Sequence, residues 1–234
     1  VKKVRLTCDF LVPAAGLGAR MGTGSNKLFL ELQGKPILEH TLRAISQLEG
    51  VGRMLVMIRP KERAEIEEAL APLGLDSGRL ILVEGGPERA DSVRNGLKYL
   101  IKNPGAPIVM THDGARPFLS KPIYQSLLKA LETHQAAVPA LPIAETCRRL
   151  APNGQTSLVD REGLYTTQTP QAFWFSEVHS VFFGELAQVS LTDEAGYFER
   201  LGRSLALVPG EPTNIKITRP PDLELAKLFI ARPA

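Results

Sequence analysis

A Rossmann-like α/β fold is predicted by the sequence: a mostly parallel sheet, helices on both of its faces, and one protruding β-arm, in a single domain over residues 1–234. Three observations carry this. Short apolar runs alternate with longer stretches of helical period. Several of those runs stop at glycine, as strands feeding helices in a parallel sheet do. One polar segment, about residues 142–168, breaks the rhythm around an Asn-Gly turn.

The first strand is read at Phe10-Leu11-Val12-Pro13-Ala14-Ala15, ending at Gly16. Leu38, Leu42, Ile45 and Leu48 then recur at helical spacing, with Pro36 suited to the first turn. Met54 to Ile58 is a second strand, and Ile66, Leu70 and Leu73 mark the next helix. Leu80 to Val83 is a third strand, closed by Gly85-Gly86, and Ala90, Val93, Leu97 and Leu100 share a helical face after it. Pro107 to Met110 is a fourth strand, followed by a helix through Ile123, Leu127 and Leu131 and a fifth strand at Ala137 to Ala140. Runs of this kind are buried on both faces. In such sheets ligands bind beyond the carboxyl ends of the strands, which directs attention to the residues after Ala15, Val83 and Met110.

The interrupting segment holds two polar half-strands around Pro152-Asn153-Gly154, the pattern of a hairpin. It reads either as a surface excursion or as an arm reaching a second subunit, since a lone hairpin is marginal. A further short strand is expected at Asn214 to Pro220, leading to a last helix.

Composition narrows the function. With 44% hydrophobic and 23% charged residues the chain reads as a globular domain with a sizeable core. No apolar run approaches bilayer-crossing length, and the apolar stretch from Phe10 is too short for a secretion signal. Cys8 and Cys147 lack metal or redox spacing, so a cytoplasmic, reducing compartment is expected. A net charge of +3, with no basic block interleaved with aromatics, asks for neither nucleic acid nor a membrane.

The strongest local signal is Pro13-Ala14-Ala15-Gly16-Leu17-Gly18-Ala19-Arg20-Met21-Gly22 with Lys27 behind it. Small residues after a strand let backbone N–H groups approach phosphate oxygens, and Arg20 and Lys27 add positive charge. The third glycine falls at Gly22, so the dinucleotide fingerprint and its hydride chemistry are excluded; no Gly-Lys-Ser/Thr follows, so this is not a Walker loop. Asp113, after the fourth strand, could hold Mg²⁺ against a triphosphate, or merely cap the turn at Gly114. Arg116 could grip a phosphate bidentately. His112 reads as structural, because four scattered histidines make neither a zinc cluster nor a triad. Gly85-Gly86-Pro87-Glu88-Arg89-Ala90-Asp91-Ser92 offers bare backbone to a base, though helix entry alone would explain it. Thr192-Asp193-Glu194 could be simply a helix N-terminus. Lys216 could be a solvated lysine or a phosphate ligand.

In order along the chain, PAAGLGARMG with Lys27, GG-x-ERADSV, HDGARP, DREGL, QTPQAF, LTDEA and NIKITRP resemble the 2-C-methyl-D-erythritol 4-phosphate cytidylyltransferase family of the non-mevalonate isoprenoid pathway, from Pro13 to the final helix. The resemblance implies a nucleotidyltransferase fold and transfer of CMP from CTP to a sugar-alcohol phosphate with Mg²⁺. It implies Arg20 and Lys27 as transition-state stabilisers. Ala14, Ala15, Gly16, Gly18, Gly86, Arg89 and Ser92 would serve CTP, and Asp113 both metal and substrate. Arg116, Thr192 and Lys216 would hold the acceptor phosphate. It also implies a homodimer whose arm brings Thr146 and Arg161 to the neighbour's pocket. Pro87, Gly114 and Glu145 depart from the family pattern; Pro87 removes an amide N–H and a carboxylate near the base, leaving Gly86 to read cytosine. Ribitol-5-phosphate cytidylyltransferase shares the Lys27 loop and the NIK segment but resembles ERADSV, DREGL and LTDEA less. A catalytically silent nucleotide-binding subunit would be free to lose Arg20, Lys27 or Asp113, and this chain keeps them all.

Overall fold

The computed structural model describes residues 6–16, 26–189 and 191–231. Strand β1 (Cys8–Pro13) is buried from Cys8 to Val12. Its successive side chains point to opposite faces: Phe10 and Val12 enter one core layer and Leu11 the other. A 3-10 turn at Lys27–Phe29 and the short pair β2 (Glu31–Leu32) and β3 (Lys35–Pro36) lead into α1 (Ile37–Ser46), whose Ile37, Leu38, Leu42 and Ile45 are buried. Then β4 (Val51–Ile58), α2 (Arg63–Leu70), β5 (Leu80–Glu84), α3 (Arg89–Lys102) and β6 (Ile108–Thr111) repeat the predicted alternation. Helix α4 (Lys121–Ala130) opens with proline in its first turn and the Ser120 hydroxyl accepting from the Ile123 N–H, which satisfies an otherwise orphaned donor. Strand β7 (Ala136–Pro142) follows.

The arm is the expected hairpin. β8 (Cys147–Leu150) and β9 (Thr156–Val159) pair antiparallel as a separate two-stranded sheet. Gly154 takes φ 82° in the turn between them, a conformation glycine enters without steric cost. Leu150 and Leu158 stand 71% and 67% exposed on it. The arm is shorter than predicted, because residues 165–167 leave it to form β10 (Tyr165–Thr167) against β7 in the main sheet. After β10 come β11 (Gln171–Trp174), α5 (Val178–Phe183), α6 (Ala195–Arg200), β12 (Leu205–Pro209) and α7 (Pro220–Ile230).

The sheet is mostly parallel, as predicted. β4 and β6 flank β1, β5 flanks β4, and β12 flanks β7, all parallel. The exceptions are β10 and β11, both antiparallel to the other edge of β7; β11 also pairs with β6 and so stitches the two parallel parts together. Helices cover both faces. Ile37, Ile66, Ile123 and Ala226, from α1, α2, α4 and α7, fill one layer. Val93, Val181 and Phe198, from α3, α5 and α6, fill the other, where Phe173 packs 5.2 Å from Phe182 and 5.6 Å from Phe198 between ring centres.

The strand expected at Asn214 to Pro220 is not present. Its N–H groups have local or isolated partners instead: Asn214 donates to the Glu211 carbonyl, Ile217 to that of Ala115, and Thr218 and Arg219 to the Asp222 carboxylate. With no strand edge to meet, the segment runs irregularly across the top of the sheet. Because β1 has β4 on one side and β6 on the other, the winding of the sheet reverses at β1 and opens a crevice beyond the strand ends.

Candidate active site

A cavity of about 410 Å³ occupies that crevice, within the usual size for a small-molecule site. Ala14, Ala15 and Gly16 line it from the end of β1, Gly86, Arg89 and Ser92 from the turn after β5, and Asp113 from beyond β6. Lys27 and Lys216 close it from the 3-10 turn and the irregular segment. The topology thus gathers these predicted residues into one space.

The turn into α3 requires its glycines. A Cβ on Gly85 would lie 2.6 Å from the Ala15 Cβ, and one on Gly86 2.2 Å from the Asp91 Cβ. Only glycine lets the turn pack this closely on Ala15 and Asp91, and Gly86 lines the cavity. The Gly86 N–H donates to Ser92 Oγ at 3.0 Å, and Ser92 Oγ reaches the Glu88 carbonyl at 3.1 Å, so Ser92 holds the turn closed. Glu88 and Asp91 form a capping box that fixes where α3 begins, and hence where Arg89 projects.

Opposite lies a dense charge cluster. Asp113 accepts from Arg89 Nε at 2.9 Å and pairs with Lys216 Nζ at 2.8 Å and Arg116 Nε at 3.6 Å. The remaining Arg89 nitrogens meet both oxygens of Glu194, at 2.7 and 3.0 Å, and Glu194 also accepts from Thr111 Oγ1 at 2.5 Å. Burial alone would raise the Asp113 pKa, but Arg89, then Lys216 and Arg116, hold it well below the usual carboxylate range. Burial pulls on Arg89 in the same neutralising sense, and Glu194 and Asp113 overcome it, so its pKa is raised. Both groups stay charged throughout the working pH range. The Arg89 guanidinium is fully engaged by two carboxylates, which makes it a strut for Asp113 more than an open grip for phosphate.

Lys27 lines the same cavity and donates to the Ile217 carbonyl at 2.6 Å. Ile217 in turn is supported from below, its N–H donating to the Ala115 carbonyl at 2.9 Å. Arg116 is held under the same segment by the Asn214 carbonyl at 2.6 Å and does not line the cavity. Thr192 is exposed just before α6, and Thr146 and Arg161 lie on the arm, where Arg161 donates to the Ala144 carbonyl; none lines the cavity. Gly18 and Arg20 lie outside the described residues.

His112 is buried and structural, as the sequence suggests. One ring nitrogen lies 3.0 Å from the Arg116 carbonyl and the other 3.0 Å from Thr169 Oγ1, which itself accepts from the Asp113 N–H. A carbonyl needs a donor, so Nε2 carries the proton and Nδ1 accepts from Thr169. Desolvation, only partly offset by the Arg116 carbonyl and Asp113, pushes its pKa down from 6.5 to about 4. In this window the unfolded chain takes up a proton that the folded one refuses. Stability is therefore lost as pH falls from 6.5 to about 4, by roughly 3 kcal/mol from this group. Urea unfolding at pH 7 and pH 4.5 should show His112→Gln losing less stability on acidification than the wild type; equal losses would show that His112 does not contribute.

Glu194 is the site residue that sequence reasoning does not single out, although the LTDEA segment contains it. A buried carboxylate with three hydrogen bonds has no local signature. As for a metal, no group of three or more His, Cys, Asp or Glu side chains gathers among the described residues. Asp113 offers one carboxylate already accepting from Arg89 and Lys216. Its Oδ1 is engaged by Arg89 and its Oδ2 by Lys216, so a hard cation brought in on a triphosphate would reach it only by opening one of these pairs. No helix of the described residues is long and apolar enough to cross a membrane.

The family model described as 2-C-methyl-D-erythritol 4-phosphate cytidylyltransferase matches residues 9–232. A protein of that name from Bacillus mycoides (strain KBAB4) is 37% identical over 228 residues, covering 94% of this chain and 96% of its own. The structure of 4-diphosphocytidyl-2C-methyl-D-erythritol synthase from Anaerococcus prevotii superposes with a TM-score of 0.82 at 29% identity, covering 97% and 99% of the two chains. That of the 2-C-methyl-D-erythritol 4-phosphate cytidylyltransferase from Thermus thermophilus gives 0.75 at 31% identity, covering 96% and 98%.

Proposed function

The chain belongs to the 2-C-methyl-D-erythritol 4-phosphate cytidylyltransferase family, and from that premise we propose how its residues divide the work. The enzyme transfers CMP from CTP to 2-C-methyl-D-erythritol 4-phosphate in isoprenoid precursor biosynthesis, releasing pyrophosphate. The observation that carries the division of labour is the cavity itself, with bare backbone at Gly86 on one wall and the cations Lys27 and Lys216 on the other.

An acceptor phosphate has its second pKa near ~6, so its oxygen is already anionic at neutral pH and attacks the α-phosphorus without a general base. The nearest imidazole, His112, is buried and kept neutral, which agrees with a site that moves no proton. The difficulty is charge: two polyanions must meet, and negative charge grows on the five-coordinate phosphorus. Lys27, whose ammonium is held by the Ile217 carbonyl, and Arg20 offset that growth. Ala14, Ala15, Gly16, Gly18, Gly86 and Ser92 seat the nucleotide. Lys216 and Arg116, balanced by Asp113, draw the acceptor phosphate to the opposite side, with Thr192. Asp113 would be the protein residue to hold Mg²⁺, which would supply charge screening on the CTP phosphates. The arm, with Leu150 and Leu158 exposed on it, supports a homodimer in which Thr146 and Arg161 serve the partner's pocket. Unpaired Cys8 and Cys147 support a cytoplasmic location.

One assay tests this reading. With Mg²⁺ present, pyrophosphate release should be rapid with CTP and 2-C-methyl-D-erythritol 4-phosphate. It should fall at least about tenfold with ribitol 5-phosphate or with UTP, because a site built around specific polar partners rejects a ligand that leaves them unpaired. Equal rates with both acceptors would restore the ribitol reading. CTP binding without pyrophosphate release would mark a silent subunit. Equal use of UTP would show that Gly86, beside Pro87, does not read the base.

A further inference from the structure

The chain on either side of residues 17–25 is tied together by a buried amide that none of the chemistry above uses. Asn26 is only 2% exposed, immediately before Lys27. Its Nδ2 donates to the Ala14 carbonyl at 2.9 Å and to Glu62 Oε2 at 3.2 Å, while its Oδ1 accepts from the Leu28 N–H at 3.2 Å. Both donor positions and the oxygen of one small side chain thus tie together three separate pieces of chain. Ala14 directly follows β1; Leu28 lies in the 3-10 turn Lys27–Phe29; Glu62 belongs to the 3-10 turn Pro60–Glu62 that follows β4. Glu62 is itself 6% exposed and is held by the Arg59 guanidinium, at the end of β4.

We infer that Asn26, oriented by Glu62, is a positioning residue for the transfer reaction: it pins the two chain ends flanking residues 17–25 and thereby fixes where Lys27 presents its ammonium. The chemistry of the bonds explains why an amide stands there. Aspartate would be isosteric but would offer no donor to Ala14 and would set a second carboxylate against Glu62. Alanine would leave the Ala14 carbonyl and the Leu28 N–H without partners. A charge that must meet a developing negative charge is sensitive to displacement of an ångström or less, so the penalty belongs to turnover and not to ground-state binding.

The inference rests on the reading of Lys27 as a transition-state stabiliser, and a double-mutant cycle separates the two. Asn26→Ala should lower kcat about tenfold with KM for CTP and for the acceptor within about threefold, the pattern of an interaction realised only in the transition state. In the Lys27→Ala background the same substitution should change kcat less than about twofold, since residues acting as a unit are not additive. Wild-type kcat in Asn26→Ala, or its full loss repeated on top of Lys27→Ala, overturns the inference. Near-normal turnover in Lys27→Ala alone would instead remove the premise. Should Asn26→Ala fail to fold, Glu62→Gln, which keeps the shape of the strut while removing its charge, must show the same non-additivity. Effects of Glu62→Gln and Lys27→Ala that multiply would count against it equally.

Discussion

Lys27→Ala should lower kcat by about 10²-fold or more, the size commonly lost with one fixed electrostatic stabiliser. The side chain lines the cavity, and its Nζ is steadied by the Ile217 carbonyl at 2.6 Å. On the proposed reading it would meet the triphosphate as a held charge. KM for the acceptor should change far less than kcat. Single-turnover measurement of pyrophosphate release checks this, because it isolates chemistry from product release. A variant with near-normal turnover would remove Lys27 from the reacting centre.

Asp113→Asn is the second large effect, and it acts on both stability and catalysis. The carboxylate balances Arg89, Lys216 and Arg116 in a buried setting, and once it is gone Glu194 still faces Arg89. Removing one partner of a buried charge cluster costs about 3 kcal/mol in folding stability. The freed Arg89 and Lys216 would also reorient, so kcat/KM for the acceptor should fall by about 10²-fold even in the fraction that folds. Chemical denaturation and steady-state kinetics on the same preparation check the two parts. Unchanged stability with kcat/KM within about threefold would show that the cluster does not depend on Asp113.

Much of this is legible in the sequence, for reasons that can be named. The strands β1, β4, β5, β6 and β7 announce themselves because each is a continuous apolar run in a sheet covered on both faces, and the glycine turns mark several of their ends. The site follows from position: Ala14 to Gly16, Gly86 and Asp113 all stand beyond strand ends on one edge of a parallel sheet. What stays hidden lacks a local pattern. β11 is four residues long and follows Pro170, so its alternation is too brief to register. β12 is five residues ending at Pro209, and α5 and α6 are six residues each, shorter than the window over which helical period shows. Glu194 reads only as part of a helix start because its meaning lies in Arg89, 105 positions away. The segment around Lys216 resembles a strand because Ile215 and Ile217 alternate with polar residues. Its backbone partners are a turn and a single carbonyl, which no periodicity reveals.

The reach of those contacts has a bearing on biosynthesis. Lys27 meets Ile217 across 190 positions, and Asp113 finds its lysine only at Lys216. While the polypeptide is still emerging from the ribosome, the nucleotide half can be complete and the acceptor half not yet exist. A translation product stalled before that point would have Arg89 and Arg116 beside Asp113 but neither Lys216 nor the carbonyl that holds Lys27. Catalytic competence would then appear late, once the closing segment arrives.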